Sequence, residues 1–503
     1  MVAERAKARS ATPAPKSSTA NGLGNVRPLI QYRLGVIAVL VAVGSYGVSL
    51  AYPALLFVAF AAQLVAVTLV VAYWRGQPVL SGWDLVVVSA VAGAGLRSYY
   101  LATGRPSQAV VDFYFLRGQS SIDLVGDALI YALAIGLVGI GYWAGFRAFL
   151  STPRSRVFLL RVTVSRPYWT RIICLLIGVC SLGVLFLFAQ ATGGFDPADL
   201  SAKRAIRLHE KESFGFENLL RMFSQVALPA AALHLGLRPR QHLGIWRFGN
   251  ALLFGLALLP AVYASSRSDL VVTAIILLAV QRMVGVPTKR WVTVVLVLLV
   301  LALFTFVSSA RSSPGSPYRL VSPVSMETFD SLAINRSMLD YSRLANLRVA
   351  LEHGWTNYQR GKTYLAPFSA PIPRALWPSK PLISPGLDFA REVYGSDSQG
   401  GIPPDGPTEL YWNFALGGML VVAPLAGALL GATEAWMRRR SVGNAGWYFY
   451  LLGPFLLTYR WVTISLTHAV TLTLQTIVIA VLVFALAGGK VRLVRAAGWP
   501  AVK

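Results

Sequence analysis

RIICLLIGVCSLGVLFLFAQAT (171–192) decides the fold. After its leading Arg171 the segment carries no charge. At 1.5 Å per residue it is long enough to cross the roughly 30 Å hydrocarbon core of a bilayer as one helix. Working outward, comparable apolar runs fall near 34–51, 53–73, 84–103, 123–146, 217–236, 248–265, 268–285, 290–309, 407–433, 446–465 and 468–488. The pattern predicts an all-α polytopic membrane protein with about twelve transmembrane helices. Composition agrees: of 503 residues, 55% are hydrophobic and only 13% charged, too few charges to cover a soluble protein of this length. Cys174 and Cys180 both lie within the quoted run and read as small buried apolar residues.

A formal net charge of +25 in a soluble chain would suggest a nucleic-acid binder. Here its placement gives another reading. With the N-terminal tail inside and the spans alternating, every short loop rich in Lys and Arg falls on the inner side, whereas most acidic residues fall on the outer side. The expectation is a cytoplasmic (inner) membrane protein, multi-pass, with both termini cytoplasmic and no nucleic-acid partner. Residues 1–30 read as a disordered basic cytoplasmic tail, 31–490 as the transmembrane helical domain, and 491–503 as a second cytoplasmic tail.

The outer face holds the informative sequence. One loop near 194–216 is mixed in charge. Another, 310–405, is far too long for a mere connection. It begins with an expected amphipathic helix near 326–353 and then turns rich in Pro and Gly (Pro371, Pro373, Pro378, Pro381, Pro385, Gly400, Gly401), which fixes a shaped, non-helical surface. The chain contains no Walker A loop, no HExxH and no GxSxG, and its five His lack paired metal spacing. The spans show little of the mid-membrane charge or unwound helix that transporters use.

What remains is a set of cations at or above the outer membrane edge: Arg97, Arg221, Arg267 and Arg460 near helix ends, with Arg343, Arg348, Arg374 and Lys380 among those in the long loop. Arginine suits phosphate because its planar fork donates two hydrogen bonds and stays charged. An enzyme acting on a lipid pyrophosphate needs cations at that depth to neutralise the leaving group; the alternative is snorkelling side chains that touch lipid phosphates without specificity. Candidate bases on the same face are His353, Glu352, Asp340, Asp405 and Glu409, between which spacing does not decide.

PIPRALWPSKP (371–381) resembles the outer-loop signature of Wzy-type oligosaccharide repeat-unit (O-antigen) polymerases. DGPTELYWNFALGG (405–418) is similar to the acidic, aromatic re-entry into the next helix in that group, and SSRSDL (265–270) to its Ser-Arg turn at an outer helix end, although Asp269 stands where a small apolar residue is usual. The resemblance implies a GT-C-like bundle with one long outer loop. It also implies a glycosyltransferase that polymerises undecaprenyl-pyrophosphate-linked oligosaccharides into a surface polysaccharide of the cell envelope, without cofactor or metal. Carried over by motif, Arg267, Arg374 and Lys380 would bind pyrophosphate together with Arg460, and Glu409 or His353 would serve as base. Expected partners are the lipid-linked oligosaccharides, membrane lipid, a flippase and chain-length regulator proteins. The rival readings are an O-antigen-ligase-like transferase and a polysaccharide exporter or flippase.

Overall fold

A computed structural model describes residues 81–87, 121–151, 158–191, 222–237, 244–263, 267–283, 341–369, 385–395, 403–442 and 445–495, with isolated positions near 38–45, 89–90, 220 and 298–303. Among the described residues four helices are long and apolar enough to cross a membrane: Val125–Phe149, Pro167–Ala191, Gly406–Arg439 and Leu466–Leu486. Shorter apolar helices cover Met222–Gly236, Phe248–Tyr263 and Asp269–Gln281. The chain is therefore a helical, membrane-embedded protein. The expected spans at 34–51 and 53–73, the loop 194–216 and the tail 1–30 lie wholly or almost wholly outside the described residues.

The elements, in order, are α1 (Ser121–Ser151), β1 (Phe158–Val164), α2 (Pro167–Ala191), α3 (Ala227–Gly236), α4 (Gly244–Tyr263), α5 (Arg267–Met283), α6 (Ser342–Glu352), α7 (Lys362–Ser369), α8 (Gly386–Tyr394), α9 (Gly406–Arg440), β2 (Ser441–Val442), α10 (Gly446–Tyr450), a π-helical turn (Leu451–Phe455), α11 (Leu456–Thr463), α12 (Leu466–Leu486) and β3 (Gly489–Arg495). The strands depart from the sequence expectation of an all-α chain with a C-terminal tail over 491–503. They form one small sheet of order β2-β1-β3. Leu160 pairs with Ser441 in parallel, and Phe158 to Val164 pair antiparallel with Arg495 to Gly489. The sheet therefore gathers the ends of α1, α9 and α12 and the start of α2 at one face. α6, α7 and α8 pack instead near the opposite ends of α1, α9 and α12, so the described part of the long loop and the basic strands occupy opposite faces of the bundle.

The tightest helix pair is α1 with α9, and glycine explains it. A Cβ on Gly141 would lie 1.9 Å from the Pro424 carbonyl oxygen, and one on Gly145 1.9 Å from that of Ala428. Reciprocally, a Cβ on Gly427 would meet Val138 O at 2.0 Å and one on Gly431 would meet Tyr142 O at 1.9 Å. Two GxxxG stretches (Gly141-Gly145 and Gly427-Gly431) thus interlock backbone to backbone, a geometry that dispersion and Cα–H···O contacts stabilise where no hydrophobic effect operates.

Three departures from the sequence expectations matter. Helix α9 is broken at Ala415 (φ 53°, ψ −168°), a region disfavoured for any residue with a Cβ. The expected span 446–465 is a rod interrupted by the π turn at Pro454, because proline removes an N–H from the ladder. Glu434, assigned to an inner loop, is instead fully buried. It accepts hydrogen bonds from the Tyr450 hydroxyl (2.5 Å), the Gly82 N–H (3.3 Å) and the Thr458 hydroxyl (3.5 Å). Arg171, at the head of the run 171–192, is buried and donates to Leu237 O and Asn250 Oδ1. On the other face, Leu347, Ala350, Phe389, Val393 and Trp412 make a small core of their own, so part of the long loop is a folded cap. Of the amphipathic helix expected near 326–353, the described part is α6.

Candidate functional site

The cap meets the bundle where α9 begins. Asp405 is the N-cap: its Oδ1 accepts the Thr408 N–H at 3.0 Å and its carbonyl the Glu409 N–H at 2.8 Å. Its Oδ2 accepts the Tyr131 hydroxyl of α1 at 2.8 Å and lies 3.8 Å from Arg343 Nη1 of α6. Glu409, one turn on, is fully buried, and its Oε2 accepts the Leu466 N–H at 2.7 Å. Leu466 opens α12, so this carboxylate caps the N-terminus of a neighbouring helix, where the dipole favours a negative charge. Asn413 continues the seam, donating to Glu409 O (2.8 Å) and to Thr363 Oγ1 (2.7 Å) while accepting from the Gly361 N–H (3.0 Å). Glu409, one of the two expected bases, thus also joins α9 to α12.

Helix α6 carries the accessible groups. Arg343 is buried, and its Nη1 has no hydrogen-bond partner among the described residues. One and a half turns on, Arg348 is about a quarter exposed; Nη1 bonds Asp127 Oδ1, and Nη2 lies 3.5 Å from Glu352 Oε1. Asp127 is itself fully buried on α1, with Oδ2 lacking a partner. The guanidinium fork therefore bridges one buried and one exposed carboxylate. His353 closes the helix and is exposed. Its ring Nδ1 lies 2.9 Å from Val349 O; a carbonyl only accepts, so Nδ1 donates in this bond and Nε2 is left outside it.

The segment after His353 is fixed in shape. The Gly354 N–H bonds Leu351 O and the Trp355 N–H bonds Ala350 O, with Gly354 at φ 70°, which is the Schellman stop. Beyond it, the Gln359 N–H bonds Trp412 O (2.9 Å), and the Trp412 indole donates to Thr356 Oγ1 (3.3 Å). The Thr356 hydroxyl in turn bonds Glu392 of α8.

The remaining expected residues are placed as follows. Arg460 is buried inside the bundle, its Nη1 donating to Thr476 (3.0 Å) and Thr473 (3.5 Å) of α12. It lines a cavity of about 30 Å³ with Gln225, Asp269, Thr273 and Thr476, room for about one water. Arg267 opens α5 two residues before Asp269, so its helix start and Arg460 border the same cavity. Arg374, Lys380 and Asp340 lie outside the described residues. The structure joins Glu409 to the cap–bundle seam, places His353 and Arg348 on the open end of α6, and keeps Arg460 in a separate cavity.

Scans against protein-family models, curated proteins and solved structures return no match for this chain. Asp127 and Tyr131 were not among the expected site residues. Their i, i+4 spacing near the start of a long, mostly apolar helix was the available signal, since a buried acid in such a helix needs a cationic or hydroxyl partner. At the open end of α6 a guanidinium, a carboxylate and an imidazole follow one another over residues 348–353. That set can take a proton from a hydroxyl and stabilise a nearby anion.

Proposed function

We propose that this protein is a membrane glycosyltransferase that polymerises undecaprenyl-pyrophosphate-linked oligosaccharide repeat units at the outer face of the cytoplasmic membrane. The observation that carries the reading is that His353 and Arg348 both stand on the open end of α6, at the bundle end opposite the basic strands. An acceptor sugar hydroxyl attacks the anomeric carbon of the donor, the bond from that carbon to the pyrophosphate oxygen breaks, and the lipid pyrophosphate leaves. His353 Nε2 takes the hydroxyl proton. Arg348 meets the negative charge growing on the leaving group, and Arg343, Arg374, Lys380, Arg267 and Arg460 supply further positive potential around it. Glu409 holds α9 and α12 in register behind these groups.

Deleting the gene from its host and separating the lipid-linked glycans by size tests the reading. Loss of long chains with accumulation of single repeat units on lipid supports it, and an unchanged glycan overturns it. A second reading, a polysaccharide exporter or flippase, is favoured by the discontinuous helices at Ala415 and Pro454 together with the buried Glu434 and Arg460, features that transporters use at their binding sites. That reading expects lipid-linked units trapped on the inner leaflet in the deletion strain.

A further inference from the structure

Beyond His353 the chain exposes two quite different patches. On α7, Leu365 (67% exposed) and Phe368 (79% exposed) are apolar throughout, and the helix packs on the outer end of α12. Just before it, Trp355 (45% exposed) and Tyr358 (41% exposed) stand on the rigid 353–361 segment. Trp355 stacks on His353 with ring centroids 4.9 Å apart, and Tyr358 lies 6.2 Å from the Tyr411 ring. Hydrogen-bonding groups flank these rings: Arg348 and Glu352, with side chains 27% and 62% exposed. The first patch has the chemistry of a lipid contact. The second pairs flat aromatic faces with polar groups at their edges, the combination that fits a sugar ring, whose C–H face is apolar and whose rim is hydroxylated.

We propose that Trp355, Tyr358, Arg348 and Glu352 form a carbohydrate-binding subsite that seats the acceptor oligosaccharide against His353. The inference rests on the reading of the chain as an enzyme of lipid-linked glycans. The aromatic faces would stack on sugar rings while the guanidinium donates to hydroxyls and the Glu352 carboxylate accepts from them. Rigidity supports it: the Schellman stop, the bond from Gln359 to Trp412 and the bond from Trp412 to Thr356 set the segment before a ligand arrives, so little ordering cost attends binding.

The test uses the full chain in detergent micelles and, as probe, the free repeat-unit oligosaccharide released by mild acid from the host's lipid-linked pool, with affinity read by saturation-transfer NMR. The expected result is about tenfold weaker binding in Trp355→Ala and in Tyr358→Ala, a smaller loss in Trp355→Phe, and unchanged binding in Leu365→Ala. Equal affinity in both alanine variants overturns the subsite and leaves the enzyme reading standing. No binding by the unaltered chain at millimolar oligosaccharide also overturns the subsite, whatever the deletion strain shows. In nanodiscs of brominated phosphatidylcholine, fluorescence quenching that is smaller in Trp355→Phe than in the unaltered chain would place the ring in lipid and overturn the proposal in favour of a membrane contact.

Discussion

Arg343 and Arg348 sit on one short helix in opposite surroundings, and their variants should fail in opposite ways. Arg343 is buried against Asp405, so Arg343→Ala strands a buried carboxylate and should cost about 3 kcal/mol of stability, read as a lowered Tm in detergent. Arg348 is partly open and bridges Asp127 and Glu352. Arg348→Lys keeps the charge but not the fork, so the protein should fold normally and lose at least about tenfold in kcat/KM. Glu409 separates an anchor from a base. In Glu409→Gln the amide oxygen still accepts the Leu466 N–H, so activity should persist, whereas Glu409→Ala should cost about 1–2 kcal/mol as a lost helix cap. Inactivity of a well-folded Glu409→Gln would restore the carboxylate to the chemistry. His353→Ala should lower kcat by about 10²- to 10⁴-fold with the fold intact. Both Glu409 and His353 were legible as polar residues on the informative face, but the full burial of the one and the exposure of the other were not. Only the tertiary pairing of Glu409 with Leu466, fifty-seven positions away, distinguishes an architectural acid from a reactive one.

At the scale of elements, the α1–α9 interlock predicts a sharp contrast between glycines. Gly145→Leu or Gly427→Val pushes a side chain into a facing carbonyl and should destabilise by at least about 3 kcal/mol. A Cβ on Gly183 of α2 meets nothing within 4 Å, so Gly183→Ala should be neutral or stabilising by up to about 1 kcal/mol. At the break in α9, Ala415→Gly should gain about 1 kcal/mol by relieving the backbone strain. Tm measurements on the purified variants check all three. The spans over 123–146, 171–192 and 468–488 were readable because long apolar runs leave a helix little alternative in lipid. The strands were missed because FLLRVTV (158–164) and GKVRLVR (489–495) are short and basic, which reads as loop until the partners are known. The break at Ala415 has no local signal apart from the glycines at 417 and 418. The interlock was legible in GYWAG (141–145) and GALLG (427–431), but which helix faces which lies outside a single sequence.

For the whole molecule, the sheet places the segments after α1, α9 and α12 on one face and the α6–α8 cap on the other. The basic composition of the first face predicts that it is cytoplasmic. In a background with Cys174 and Cys180 replaced by Ser, Asn357→Cys should react with an impermeant maleimide in intact cells, and Lys490→Cys only after permeabilisation; the reverse pattern would invert the topology. Such an orientation would put the His353–Arg348 end over outward-facing lipid-linked substrates, with the helices as its scaffold. The most direct measurement is on the purified chain in vesicles supplied with undecaprenyl-pyrophosphate-linked repeat units, in EDTA and without nucleotide. Enzymatic polymerisation predicts products longer by whole repeat units and release of undecaprenyl pyrophosphate, both lost in His353→Ala. Substrate that crosses the bilayer with its length unchanged would contradict it.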